Sequence, residues 1–374
     1  MTFVALGVGG GSWATRIPAV QHRIGLSAAE LGLALFGLGF GSLLSMPLTG
    51  VLIARRGSRP VLRGAALLFA VSIALPPLAW NLPTLWLALT LFGAASGALD
   101  VAMNSHGVAV EHVYERPILS SFHAAYSAGA LLGAGLGGLA AGLGIDARVH
   151  LAAIAGLVLL TALASGRALL PADEDGGAAG QGLTLRIPRQ LVVVGIVAFL
   201  CLLAEGAASD WSAVYLAGPL GSGPDVAAAG FAGFAAAMML ARIAGDRLAI
   251  ALGEVALVRA GALLGAGGMA IGLVAGNAPT AIVAFACLGA GLAGIVPVVF
   301  RAAATHPDVP PGIGLAAVST AGYTGFLLGP PVIGAAASVT SLPRALGLVV
   351  LATAAIAALA GHIPVRRRSS SPTD

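Results

Sequence analysis

The chain has 374 residues, of which 58% are hydrophobic and only 9% charged, with 54 glycines outside the hydrophobic count. A soluble domain carries about 25% charged residues, and the mean hydropathy here is +0.97, so a soluble globular protein is excluded. Disorder is excluded by the same figures, because so apolar a chain has no reason to stay solvated.

What remains is an all-α polytopic membrane protein. The net charge of +4 and pI near 9.7 do not make it a nucleic-acid binder, because the basic residues are scattered between apolar stretches. All 19 are arginine, which removes a Walker A lysine and a Schiff-base lysine. The two cysteines, Cys201 and Cys287, lie in apolar runs and read as two buried thiols.

A spanning helix needs about 20 mostly apolar residues. Cutting the chain at charge, proline and asparagine clusters gives twelve segments, at 1–20, 30–54, 61–80, 84–110, 117–143, 149–170, 191–216, 225–249, 255–275, 279–303, 311–338 and 342–363. The first is interrupted early by Arg16, and is too glycine-rich and too poor in flanking charge for a cleaved signal peptide. Cytoplasmic loops are enriched in Lys and Arg. With both termini inside, 15 arginines, Arg242 and Arg301 among them, fall at the inner surface, against Arg16, Arg23, Arg148 and Arg344 outside.

Residues 171–190 contain Asp173, Glu174, Asp175 and several glycines, the composition of a cytoplasmic linker. It divides an N-terminal six-helix bundle, residues 1–170, from a C-terminal one, residues 191–374. The run from Gly57 to Leu68 aligns with Gly253 to Leu264 at an offset of 196 residues, and Gly93-Ala94 aligns with Gly289-Ala290 in the same register. Trp13 and Trp211 match at nearly that offset, so the pattern reads as duplication.

Six plus six helices, a central linker and a basic turn between segments 2 and 3 resemble the major facilitator superfamily over essentially the whole chain. Its signature Gly-x-x-x-Asp-Arg-x-Gly-Arg-[Arg/Lys] is matched by Gly50 to Arg59, with Ala54 where the family usually has aspartate. The second-half counterpart, Arg242 to Arg247, keeps Asp246. The runs Gly11 to Pro18, Leu99 to Asn104 and Glu205 to Tyr215 resemble a bacterial inner-membrane branch near the fucose-permease-like transporters. The resemblance implies a multi-pass protein of the inner membrane and a gating role for Arg55, Arg56, Arg59, Asp246 and Arg247.

Two segments formally match the dinucleotide fingerprint, Gly133 to Gly138 and Gly289 to Gly294, but both lie inside expected helices. They read as close helix packing, as do Gly37, Gly39 and Gly41, and no cofactor is expected. Pro330 and Pro331 remove hydrogen-bond donors within segment 11 and predict a kink.

Charges deep in a bilayer are costly and line cavities or pair with one another. Segment 4 carries Asp100 and Asn104 on one face. Segment 5 carries His123, Tyr126 and Ser127, segment 7 carries Glu205, Ser209, Asp210 and Trp211, and segment 1 carries Trp13 and Arg16. Asp100, Glu205 and His123 are candidates for proton coupling; Trp13, Asn104, Tyr126, Ser127 and Trp211 for solute binding; Arg16 and Asp210 for an outer gate. Two readings of the charges stay open, since Asp100 can equally tie helices together. Glu111, His112, Glu115 and His306 read as solvated helix ends.

The expectation is a monomeric secondary transporter, not an enzyme, that moves a small polar or amphipathic organic solute, sugar-like or a drug-like metabolite, with protons across a lipid bilayer by alternating access. The alternative is a non-transporting receptor or scaffold of the same fold. The short linker, and the few residues after Arg368, leave such a receptor little to signal with.

Overall fold

The computed structural model describes residues 1–114, 119–166, 169–170, 189–304, 306, 309 and 311–364. Expectations that fall on Glu115, Arg116, Arg167, residues 171–188 and the tail from 365, and on the side chains of His112 and Asp246, lie outside the described residues. Each of the twelve expected segments is helical. The first six are α1 (Thr2–Ile24), α2 (Ala28–Arg56), α3 (Ser58–Ser72), α4 (Leu82–Tyr114), α5 (Leu119–Gly142) and α6 (Ala147–Ser165). The second set begins with α7 (Arg189–Ala217), α8 (Pro224–Leu252) and α9 (Glu254–Ala275). Segment 10 is broken into α10 (Ala278–Leu292) and α11 (Ile295–Ala304); α12 (Pro311–Val339) follows, and segment 12 is split into α13 (Leu342–Ala345) and α14 (Gly347–Leu359). Among the described residues, ten stretches are long and apolar enough to cross a membrane. The helices α1 and α12 complete twelve passes, at 23 and 29 residues. At about 1.5 Å per residue both exceed the ~30 Å hydrocarbon thickness.

Local sequence explains the helix ends. Ser27 and Glu30 form a reciprocal capping box at the start of α2, satisfying two otherwise orphaned donors. The starts of α4 and α10 carry the same cap 196 residues apart. Thr84 N donates to Asn81 Oδ1 at 3.0 Å, and Thr280 N to Asn277 Oδ1 at 3.1 Å. A single glycine joins α2 to α3 and α8 to α9. Gly57 has φ 76° and ψ 165°, Gly253 φ 80° and ψ 153°, a region open essentially to glycine alone. The repeat seen in the sequence is therefore a repeat of backbone geometry.

Packing repeats as well. Within the first bundle α2 packs on α4, α1 on α5 and α3 on α6; the second repeats these as α8 on α10, α7 on α12 and α9 on α14. A Cβ on Gly93 would stand 1.8 Å from Leu38 O, and one on Gly289 2.2 Å from Phe234 O. Both partners are again 196 apart. Lipid offers no hydrophobic force between helices, so such close backbone approach supplies the dispersion contact. The fingerprint-like segments serve this purpose: Gly133 abuts Val8 O and Gly291 abuts Gly261 O.

The bundles meet through α2 on α12, α5 on α8, and α1 on α7 and α8. Their close glycine contacts gather towards the face that carries Gly25 and Gly221. There Gly32 packs on Pro330 O and Gly334, Gly39 on Leu327, and Gly138 and Gly142 on Ala228 and Asp225. Pro330 and Pro331 sit inside one uninterrupted α12, at this junction. The opposite face carries Gly57 and Gly253. There, Ser58 Oγ and His106 Nδ1 lie 2.6 Å apart, His106 Nε2 accepts from Leu170 N at 3.3 Å, and Arg63 donates to Gly166 O. In the second bundle Arg301 pairs with Glu254. His306, read from sequence as solvated, is buried. Of the two thiols, Cys201 is buried and Cys287 half-buried.

Candidate functional site

Five helices bring polar side chains to one level between the bundles. Asp100, Ser127, Glu205, Arg242 and Tyr323 each lie within four residues of the midpoint of α4, α5, α7, α8 or α12. Two hydrogen bonds cross from bundle to bundle at this level. Tyr323 OH donates to Asp100 Oδ2 at 3.2 Å, and Arg242 Nη1 donates to Ser127 Oγ at 3.1 Å.

Within each bundle, short local bonds hold these groups in place. Asn104 Nδ2 donates to Asp100 Oδ1 at 3.1 Å and to the Asp100 carbonyl at 2.9 Å, using the four-residue spacing of one helical face. Ser127 Oγ donates to the His123 carbonyl at 3.2 Å, and Ser209 Oγ to the Glu205 carbonyl at 3.2 Å. Arg242 Nη2 stands 3.9 Å from Glu205 Oε1, with 28% and 22% of the two side chains exposed. That separation makes an ion pair, not a hydrogen bond. Tyr126 lies within electrostatic reach of Glu205, Asp100 and Arg242.

The cluster thus unites Asp100, Asn104, Tyr126, Ser127 and Glu205 of the sequence expectation. His123 stands one helical turn from Ser127, exposed, and edge-on to Phe3 at 5.5 Å between ring centroids. Chemically, the site offers two carboxylates, one guanidinium, two phenols, an amide and a hydroxyl. Among the described residues, no group of three or more His, Cys, Asp or Glu side chains is placed to hold a metal ion.

Four expected residues lie elsewhere. Trp13 packs edge-on against Phe92 of α4 at 6.5 Å, inside the first bundle, and Trp211 is fully buried, with its indole nitrogen unpartnered. Both are buried in this conformation, and the Trp13 indole nitrogen is likewise unpartnered among the described residues. Arg16 donates to the Ile145 carbonyl on the α5–α6 connection, and among the described residues no ion pair joins it to Asp210. Asp210 is buried on α7.

The gating arginines divide similarly. Arg55, Arg56 and Arg247 are exposed and Arg59 is half-buried. None of the four makes an ion pair among the described residues.

Sequence reasoning missed two members of the cluster. Arg242 was counted with the inner-surface arginines, yet it reaches Glu205, whose depth in α7 was itself a signal that a counter-charge had to exist. Tyr323 was not singled out, although it stands 196 residues after Ser127. The same repeat position in each bundle thus supplies a group that bonds across to the other.

The sequence profile of the Major Facilitator Superfamily matches residues 1–310, and the chain belongs to that superfamily of membrane transporters. An uncharacterised MFS-type transporter of Yersinia pestis is 37% identical over 335 residues, covering 89% of this chain and 86% of that one. An uncharacterised transporter of Sinorhizobium fredii is 36% identical, covering 89% and 88%. The membrane protein MosC of Rhizobium meliloti is 35% identical, covering 86% and 79%. Among solved structures, the nucleoside transporter NupG superposes with a TM-score of 0.74 at 14% identity over 98% of both chains. A bacterial homologue of the human lysosomal transporter Spinster, inward-facing and occupied, gives 0.68 at 13% identity, covering 97% and 91%. These two likenesses concern the fold.

Proposed function

We propose that the protein is a proton-coupled secondary transporter of a small polar organic solute, working as a monomer by alternating access in the bacterial inner membrane. Residues 1–170 and 191–374 are the two rocking bundles, joined by a cytoplasmic linker at 171–190, and both termini are cytoplasmic. The central cluster is the solute and proton site. Asp100 and Glu205 carry the exchangeable proton, while Asn104, Tyr126, Ser127, Arg242 and Tyr323 hold the solute.

The observation that carries this reading is the pair of bundle-crossing bonds, Tyr323 to Asp100 and Arg242 to Ser127. A carboxylate at mid-depth is costly unless paired or protonated, so breaking either contact during rocking changes the environment that decides its protonation. The close cross-bundle glycine contacts gather towards the Gly25 face, which supports a conformation open towards the Gly57 face. With the cytoplasmic surface assigned by arginine counting, that state faces inward.

A thermal-shift screen against polar metabolites identifies the solute, since a ligand of the folded state raises its melting temperature. In proteoliposomes, Asp100→Asn and Glu205→Gln are then expected to abolish uptake driven by a pH gradient while sparing exchange of labelled for unlabelled solute. Undiminished pH-driven uptake in both variants refutes proton coupling at these residues. Reporters fused after Arg59, near Gly180 and after Arg368 are all expected to report cytoplasm; a periplasmic signal at Gly180 or Arg368 breaks the topology.

A further inference from the structure

We propose that Arg242 is an anion anchor, that the solute class is organic acids carrying a carboxylate, and that solute and proton are coupled by an exchange of partners on this one guanidinium. The inference rests on the central cluster being the solute site and adds what that site selects.

The guanidinium is poised between partners. It has five N–H donors in a planar fork that matches a carboxylate edge. Among the described residues its single hydrogen-bond acceptor is Ser127 Oγ. Glu205, at 3.9 Å, neutralises it without a hydrogen bond, and 28% of the arginine side chain is exposed. Asp100 is engaged differently: its two oxygens already accept from Asn104 and Tyr323. The donor capacity left over at mid-depth therefore sits on Arg242.

Charge balance supplies the coupling. A buried cation needs one counter-charge, and a second anion beside it leaves an excess negative charge in a medium of low dielectric. When a solute carboxylate docks on the fork, Glu205 loses its counter-charge and takes a proton from the aqueous side, so one carboxylate and one proton enter together and the site's net charge is unchanged. The groups within electrostatic reach of Glu205 are Arg242 on α8, Tyr126 on α5, Tyr323 on α12 and Cys201 on its own helix, with His123 on α5 beside Arg242 and Asp100 on α4 beside the two tyrosines. Of these, Arg242 alone carries a fixed positive charge.

The test needs no knowledge of the natural solute. Purified full-length protein in weakly buffered detergent near neutral pH is mixed with acetate or formate, with chloride as control, and proton uptake is followed with a pH-sensitive dye. Carboxylate-dependent proton uptake is expected in the wild type and is expected to vanish in Glu205→Gln and Arg242→Gln. Arg242→Lys, which keeps the charge but loses the fork, is expected to retain uptake at about tenfold higher acetate concentration.

Melting curves check that each variant is folded, and the lysine variant serves should the glutamine variant not be. Absence of acetate-dependent uptake in the wild type, or its persistence in folded Arg242→Gln, overturns the proposal. Methylammonium is the opposing probe. Proton release on its addition, unaffected by Arg242→Gln but lost in Asp100→Asn, overturns the anion assignment and leaves the central-site reading standing. No proton exchange and no thermal shift with either probe overturns both.

Discussion

At the Gly57 face the two bundles solve one problem with different chemistry. Each must fix a one-residue turn against the last part of the fourth segment of its own set, α4 in the first bundle and α11 in the second. In the first bundle the tie is neutral: Ser58, the residue after Gly57, meets His106, and the same ring holds Leu170 through its other nitrogen. In the second bundle Glu254, 196 residues on from Ser58, pairs with Arg301. The backbone at Gly57 and Gly253 is conserved between halves because other residues are strained there; the tie is free to vary because several donor and acceptor pairs span the same gap.

The bonding pattern also sets the His106 tautomer. Its Nε2 accepts a backbone N–H, so Nδ1 carries the proton and donates to Ser58 Oγ, and a doubly protonated ring has no acceptor left for Leu170.

The strongest test of equivalence uses the shared glycines. Gly93→Ala and Gly289→Ala each drive a methyl into a facing carbonyl, and each is expected to cost about 1–3 kcal/mol, the usual range for overpacking a tight contact. The readout is the melting temperature of the purified variant. A loss at Gly93 with none at Gly289 breaks the equivalence of the halves.

At the ties the expected effects are equal or smaller. His106→Ala leaves the Ser58 hydroxyl and the Leu170 N–H without the ring, at about 1–3 kcal/mol for a buried donor or acceptor. Arg301→Ala removes an ion pair whose arginine side chain is 54% exposed, which is expected to cost about 0.2–1 kcal/mol. Salt sharpens the contrast. Raising ionic strength should shrink the Arg301 effect and leave the His106 effect unchanged; equal sensitivity would mean that both ties act through charge.

The fold was legible because lipid imposes one rule along the whole chain: apolar runs of spanning length ended by arginine, proline or asparagine. The split of the tenth segment was not read, although its signal is present: Pro297, in the first turn of α11, has no N–H to bond the carbonyl four residues back, at Ala293. The central cluster was legible where a polar residue stands in an otherwise apolar helix, as with Asp100, Asn104, Ser127 and Glu205. Rotation about the helix axis was harder to read. Trp13 and Trp211 share helices with polar residues but are buried, Trp13 against Phe92, and composition does not reveal which way an indole points. Arg16 illustrates the same limit, since its partner is a main-chain carbonyl that no pattern of side chains announces. Arg242 was hidden by its own residue type, because an arginine counted for topology was not also weighed as a cavity cation.

The two bundle-crossing bonds have a consequence for affinity. Among the described residues they are the only hydrogen bonds between the bundles. A neutral bond contributes about 0.5–1.5 kcal/mol net and one to a charged group about 1.5–3 kcal/mol. Releasing both therefore costs a few kcal/mol, comparable to the ~4 kcal/mol of millimolar binding. A solute that replaces these contacts with its own needs no great tightness to shift the population between states, and a solute held weakly leaves quickly. The sparse polar join suits a carrier that works at high solute concentration and turns over fast, whereas a dense one would trap its cargo.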